Sequence, residues 1–220
     1  GGGPGQPRAG GRSPAVTRLL AGDIGGTKTL LALYRLEGHE LVQERCERYP
    51  SAAWPDLASM VGHFLRGDAD PSPPRHACFA IAGAVQDGRV KLTNLPWLLD
   101  ERALASACGL ERLELVNDFA VLVYGLPHLQ ADQQRELRGG ENRPGPVAIL
   151  GAGTGLGVAI GVPGPAGLIA LASEAAHAEF APRIGAEWEL KEWLRADLGL
   201  GRLSIERVVS GTGLGHVARW

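Results

Sequence analysis

Apolar residues fall in short blocks at the start of the chain. Segments 18–22, 30–36 and 41–47 are apolar runs of strand length, separated by a glycine-rich turn and by Glu37-Gly38-His39. That spacing predicts an antiparallel meander. From Pro55 the period changes: Leu57, Met60, Val61, Phe64 and Leu65 recur at helical spacing, with Gly67 just beyond. A helix with one buried face is predicted. A strand over 76–81, a turn at Gln86-Asp87-Gly88, a short helix opened by Asp100 and closed by Gly109, and a strand over 113–116 follow. The order is β-β-β-α-β-α-β, and it ends on Asn117-Asp118.

The opening of that order then repeats. Segments 148–150 and 158–162 flank the run GAGTGLG as strand, glycine turn and strand. Setting Gly26-Thr27 on Gly153-Thr154 also aligns the flanking apolar runs, which predicts two related α/β halves. Leu190, Trp193, Leu194 and Leu198 mark a further amphipathic helix, stopped by Gly199 and Gly201.

Composition narrows the class. A chain of 220 residues is long enough for one large domain or two modest ones. With 22 basic against 24 acidic side chains and a net charge of -2, nothing draws the surface toward nucleic acid or an anionic membrane. No apolar run approaches the ~18 residues of a spanning helix, and none near the start reads as a signal peptide, so a cytoplasmic location is expected. Cys46, Cys78 and Cys108 are far apart and form no C-x-x-C pair. Buried free thiols are expected. Residues 1–16 hold six glycines and three prolines with little to bury, which predicts a flexible leader. Met60 is the only methionine, so residue 1 is not a translation start and the chain is expected to be partial.

Candidate chemistry gathers at four places. Asp23-Ile24-Gly25-Gly26-Thr27-Lys28-Thr29 lies between two apolar strands. A tight turn of this kind aims backbone N–H groups and hydroxyls at one spot, which suits phosphate oxygens. Asp23 can hold a magnesium ion there, directly or through water. Alone, the segment reads equally well as a plain hairpin turn. Its second copy, Gly151-Ala152-Gly153-Thr154-Gly155-Leu156-Gly157, changes the balance. Two such turns facing each other across a cleft would fit a nucleoside triphosphate. The second is not a dinucleotide fingerprint, because Leu156 and Val158 stand where a third glycine is required. Nor is the first a Walker A loop, because Thr27 rather than glycine precedes Lys28.

Asn117-Asp118 sits at the carboxyl end of a strand, the edge where open α/β sheets place ligands. Asp118 can accept a proton from a substrate hydroxyl there, or the pair can cap a helix predicted over 119–126. Glu174 and His177, three apart, can reach one ligand. No third metal ligand stands beside them, so hydrogen bonding to a polyol is the stronger use. His39, His63, His76, His128 and His216 read as surface or packing residues.

The ordered segments LLAGDIGGTKT, LTNLPW, LVNDF, GAGTGLGV, SEAAHAEFAP and SIERVVSGTGL resemble the bacterial ATP-dependent glucokinases, of the sugar kinase, Hsp70 and actin superfamily. The likeness runs from about Leu19 to Trp220. It implies an α/β protein of two RNase H-like (actin-like ATPase) domains with mixed central sheets, the second incomplete in this chain. A leader over 1–17, a small domain over 18–128 with the first phosphate turn and the catalytic aspartate, and a partial large domain over 129–220 are the implied divisions.

By the same resemblance Asp23, Gly25, Gly26, Thr27 and Lys28 make the first phosphate segment, and Gly153, Thr154 and Gly155 the second. Asp118 matches the catalytic base. Asn117, Glu174, His177 and Glu206 match residues that hold sugar hydroxyls, and Asn94 lies in a loop near that pocket. The implied reaction transfers the γ-phosphoryl of ATP, with Mg2+, to the 6-hydroxyl of glucose, a cytoplasmic step of glycolysis. The rival readings are a kinase for another hexose, a non-catalytic sugar-binding relative, and an actin-like or Hsp70-like ATPase that acts without sugar. A homodimer is compatible with the resemblance, and no nucleic acid or membrane partner is implied. Zinc is not expected, because no cysteine cluster follows His177. Ala175 and Ala176 stand where the family commonly has two glycines. Their methyl groups are expected to strain a turn that wants φ > 0 or to crowd the sugar.

Overall fold

The expected meander forms from β1 (Arg18–Ile24), β2 (Lys28–Glu37) and β3 (Glu40–Pro50), all antiparallel. The computed structural model describes residues 17–68, 70, 72–92, 94–141 and 143–220. Residues 1–16, nearly all of the expected leader, lie outside them. β3 runs past the apolar segment that predicted it. Arg45, Glu47 and Arg48 break its hydrophobic pattern, yet their backbone pairs with β2 all the same. An edge strand needs only one paired side and tolerates charge on it.

β1 pairs in parallel with β4 (His76–Ile81), and β7 (Arg112–Asn117) closes a five-stranded sheet in the order β3-β2-β1-β4-β7. β5 (Arg89–Lys91) and β6 (Leu98–Asp100) form a separate hairpin. Because side chains alternate along a strand, Leu20, Leu31, Leu33, Phe79, Ile81, Leu113 and Leu115 share one core. Leu57, Met60, Val61 and Phe64 of α1 (Leu57–Arg66) and Leu104 of α2 (Glu101–Cys108) complete it. Asp56 Oδ1 caps α1 by accepting the Ser59 N–H at 2.7 Å. Asp100 Oδ1 caps α2 through the Ala103 N–H at 3.0 Å, and Gly109 ends it at φ 68°.

The cysteines are free, but Cys46 and Cys78 are exposed rather than buried. Alternation explains Cys78: its neighbours Ala77 and Phe79 point into the core, so it points away.

The chain divides into two units, the first ending at Leu115 and the second spanning Val116–Trp220. That division precedes the 128/129 boundary expected from sequence. Its cause is α3 (Ala120–Gly125), which packs on β9 (Leu156–Gly164) and β10 (Gly167–Ser173). β8 (Val147–Ala152), β9 and β10 make an antiparallel sheet in the order β10-β9-β8. This repeats the β1-β2-β3 meander, including a third strand that the glycine-rich sequence around it conceals. The two turns differ by one residue. Ile24 pairs with Thr29 across the first, whereas Ala152 pairs with Leu156 across the second. α4 (Gly185–Asp197) and α5 (Gly211–Arg219) follow, and Leu190, Leu194 and Leu203 form a small core with Phe180, Trp193 and Val217 beside it. Among the described residues no helix is long and apolar enough to cross a membrane.

One buried charge ties the first unit together. Arg18, at the start of β1, is 5% exposed and donates to Glu44 at 2.7 Å, Asp68 at 2.6 Å and the Ser72 carbonyl at 2.8 Å. The guanidinium holds the Asp68 carboxyl below the ordinary aspartate range, chiefly through the hydrogen bond. A carboxyl with a lower pKa in the folded than in the unfolded state stabilises above its unfolded pKa. That contribution disappears as pH falls through the lowered value. Urea unfolding should therefore show stability declining below about pH 4, with a shallower decline in Arg18→Ala. At pH 7 that variant is expected to lose about 3–5 kcal/mol, since the Asp68 carboxylate is left without its cation and Glu44 keeps only Arg35, 3.8 Å away.

Candidate functional site

The first glycine turn is held by its carbonyls. Gly25 N–H closes the bend on the Lys28 carbonyl at 3.0 Å. The Thr27 carbonyl accepts the Ser51 N–H at 3.0 Å, and the Gly25 carbonyl accepts the Ser51 hydroxyl at 2.7 Å. Ser51 and Thr29 are fully buried, their hydroxyl oxygens 3.0 Å apart. The single Ser51 hydroxyl proton goes to Gly25, so Thr29 must be the donor of that pair. Among the described residues the N–H groups of Gly26 and Thr27 find no acceptor. A bend with its carbonyls engaged and its amides open suits an anion. Gly26 has no room for a side chain: a Cβ there would lie 2.7 Å from that of Asn94. Asn94, an expected sugar-pocket residue, thus sits against the first glycine turn. Asp23 is exposed at the end of β1, just ahead of this turn.

The second turn is fastened the same way by different residues. The Gly153 carbonyl accepts the Gly211 N–H at 2.7 Å, and the Thr154 carbonyl accepts the Thr212 hydroxyl at 3.0 Å. Glu206 Oε2 accepts the Leu156 N–H at 3.0 Å, immediately after the bend. A Cβ on Gly155 would come within 2.5 Å of that carboxylate oxygen, and one on Gly211 within 2.9 Å of the Gly153 carbonyl. The N–H groups of Gly153, Thr154 and Gly155 find no acceptor among the described residues.

Asn117 does the capping that sequence left open. Its Oδ1 accepts the Phe119 and Ala120 N–H groups, each at 3.0 Å. Asp118 Oδ1 accepts the Phe119 N–H at 3.0 Å and the Asn117 amide at 3.2 Å. The pair therefore has a fixed arrangement at the start of α3. Glu174 precedes and His177 ends a 3-10 turn, Ala175–His177, with Glu174 Oε2 3.4 Å from His177 Nε2 and both side chains exposed. Strain at Ala175 and Ala176 does not arise. Asp87 is the non-glycine residue with positive φ among the described residues, and the 3-10 turn keeps both alanines at negative φ. Residues 177–180 lie along 202–205 through Phe180 N–H to Leu203 O at 2.7 Å, Ile205 N–H to Ala178 O at 2.9 Å and Arg202 to His177 O at 2.6 Å. That pairing sets the Glu206 turn, Ile205–Arg207, beside the His177 turn.

Within the second unit Glu206 reaches the Gly153–Gly155 bend, Glu174 and His177 lie on the adjoining turn, and Asn117 and Asp118 precede Phe119, whose ring lies on Gly151 and Gly157 of the strands that carry the bend. Asp23, Gly25 to Lys28 and Asn94 assemble in the first unit. Ser51 and Thr212 carry the turns and went unread in sequence. Ser51 has no local signal, whereas Ser210-Gly211-Thr212-Gly213 repeats the Gly-Thr-Gly of the turn that it braces.

A mixed sheet in the order β3-β2-β1-β4-β7, a repeated meander and a carbonyl-braced glycine turn in each unit define an α/β protein of the RNase H-like class. The glucokinase family model matches residues 20–220. Relatives include the glucokinase of Nostoc sp., 44% identical over 201 residues, and that of Synechocystis sp., 44% identical over 210 residues. Each match covers 90% of this chain and 59% of the relative, so the chain spans about three fifths of their length. The crystal structure of a glucokinase from an Antarctic psychrotroph is similar at a TM-score of 0.79 and 32% identity, over 92% of this chain and 63% of that one. A glucokinase from Balamuthia mandrillaris, solved in complex with glucose, shares the fold at a TM-score of 0.68 and 23% identity, over 93% of this chain and 62% of that one. The chain belongs to the glucokinase family.

Ser51→Ala tests the brace of the first turn. It leaves the Gly25 carbonyl without its donor and the buried Thr29 hydroxyl without its acceptor, and should destabilise by about 1–3 kcal/mol in chemical denaturation. Ser51→Thr keeps the hydroxyl and should recover part of that loss.

Proposed function

We propose that this protein transfers the γ-phosphoryl of ATP to the 6-hydroxyl of glucose, giving glucose 6-phosphate and ADP. Family membership supports the reaction. The observation that carries it to particular atoms is Asp118, held by the Phe119 N–H at the start of α3, in the same unit as a braced glycine turn.

In this reading Asp118 accepts the proton of the sugar hydroxyl as that oxygen attacks phosphorus. Asn117, Glu174, His177 and Glu206 offer the mixture of donors and acceptors that a polyol needs, so a wrong epimer leaves polar groups unpaired. The open amides of Gly26 and Thr27 in the first unit, and those of Gly153 to Gly155 in the second, are each suited to phosphate oxygens. Lys28, exposed at the start of β2, adds positive charge. Phosphoryl transfer has a loose transition state, so positioning and charge neutralisation supply most of the acceleration. Asp23 fits a magnesium ion, which takes one or two protein carboxylates together with substrate phosphates and water. When bound, the ion neutralises phosphate charge.

ADP release measured over a hexose panel should show magnesium-dependent turnover that is highest with glucose. Asp118→Ala should lower kcat at least about a hundredfold while glucose binding by calorimetry persists. Turnover retained in that variant rejects the base, and a flat response across all sugars rejects the kinase.

A further inference from the structure

Phe119 follows Asp118 directly, and its ring lies where two side chains are missing. Gly151 and Gly157 face each other across β8 and β9, just below the second glycine turn. A Cβ on Gly151 would approach the Phe119 ring to 2.7 Å, and a Cβ on Gly157 would overlap it. The ring therefore packs directly onto the backbone of this cross-strand glycine pair. One helical turn later the contact recurs, since a Cβ on Gly161 would lie 2.6 Å from Val123 Cγ1. The Phe119 backbone is held as firmly as the ring: its N–H is shared between Asn117 Oδ1 and Asp118 Oδ1, each at 3.0 Å.

We propose that Phe119 is a positioning residue, fixing the Asp118 carboxylate relative to the Gly153–Gly155 bend by resting its ring on the Gly151/Gly157 pair. The catalytic consequence rests on the kinase reading above. The physical ground is stiffness. An aromatic ring against bare backbone leaves no flexible side chain to absorb a shift, because close-packed interiors transmit displacements. A misplacement of about 1 Å between reacting groups can lower a rate by about a hundredfold. Any side chain at 157 displaces the ring, and with it the N–H that orients Asp118. Any smaller residue at 119 releases the hairpin.

The test compares Phe119→Ala, Phe119→Leu, Gly157→Ala and the double variant Phe119→Ala/Gly157→Ala in the intact protein, with kcat expressed per folded molecule. Phe119→Ala is expected to lower kcat at least about tenfold while glucose KM stays within about twofold, and Phe119→Leu to fall between it and the parent. Gly157→Ala should also lower kcat. The double variant should be no worse than the poorer single one, because the ring that the new methyl displaces is gone. Amide hydrogen exchange supplies a readout independent of turnover. In Phe119→Ala the amides of residues 153–156 should exchange faster while those of α4 stay unchanged. Unaltered kcat per folded molecule in Phe119→Ala, or losses that simply add in the double variant, would overturn the proposal. If the parent protein turns over no sugar, the kinase reading fails and exchange alone decides. Selective acceleration at 153–156 then supports the mechanical link, and uniform or absent acceleration refutes it.

Discussion

A backbone bend that offers its N–H groups to an anion must be held by something other than those N–H groups, and its carbonyls are the handles left. Both glycine turns obey this constraint. Ser51 takes two carbonyls of the first through its amide and its hydroxyl. Gly211 and Thr212 take two of the second, while Glu206 secures the amide that follows it. Each brace comes from a segment distant in sequence, and each needs the bend to be nearly bare of side chains. Glycine at 26 and 155 is thus a consequence of close approach, by Asn94 in one case and Glu206 in the other. Neither residue lies in the left-handed region, where glycine would be chosen for its conformation.

The same economy links the parts of the second unit. The pairing of 177–180 with 202–205 sets the His177 turn beside the Glu206 turn, and Glu206 in turn reaches the glycine bend. One carboxylate therefore stands between residues suited to sugar hydroxyls and amides suited to phosphate. A second connection runs through Phe119, from the Asn117-Asp118 pair to the sheet beneath the bend. In the first unit, Arg18 plays a structural counterpart, joining β1, β3 and the segment after α1 through one buried guanidinium.

Much of this architecture was legible in the amino-acid sequence, because its signals are local. Apolar runs of strand length marked β1 and β2, helical spacing at Leu57, Met60, Val61 and Phe64 marked α1, and Asp100 with Gly109 marked both ends of α2. The repeated Gly-Thr bend announced the β8–β9 hairpin, and ordered motifs disclosed the family. What failed had physical causes. β3 extends further than its apolar run because an edge strand can carry charge, and β10 hid among glycines. Cys46 and Cys78 are exposed because a small apolar residue can occupy either face of a strand. The alanines at 175 and 176 looked strained only under the assumption of a positive-φ bend, and a 3-10 turn holds them instead.

By itself, the sequence determined which segments could become strands, helices and anion-binding bends, since those properties arise from neighbours a few positions apart. Tertiary structure alone decided which side chains hold the bends, because hydrogen bonds over separations such as Gly25 to Ser51 or Leu156 to Glu206 leave no periodic trace along the chain. It also decided how Asn117 and Asp118 divide their work. Either could cap the helix by residue type, and only the folded backbone turns Asn117 toward the amides of Phe119 and Ala120 while Asp118 is steadied beside it.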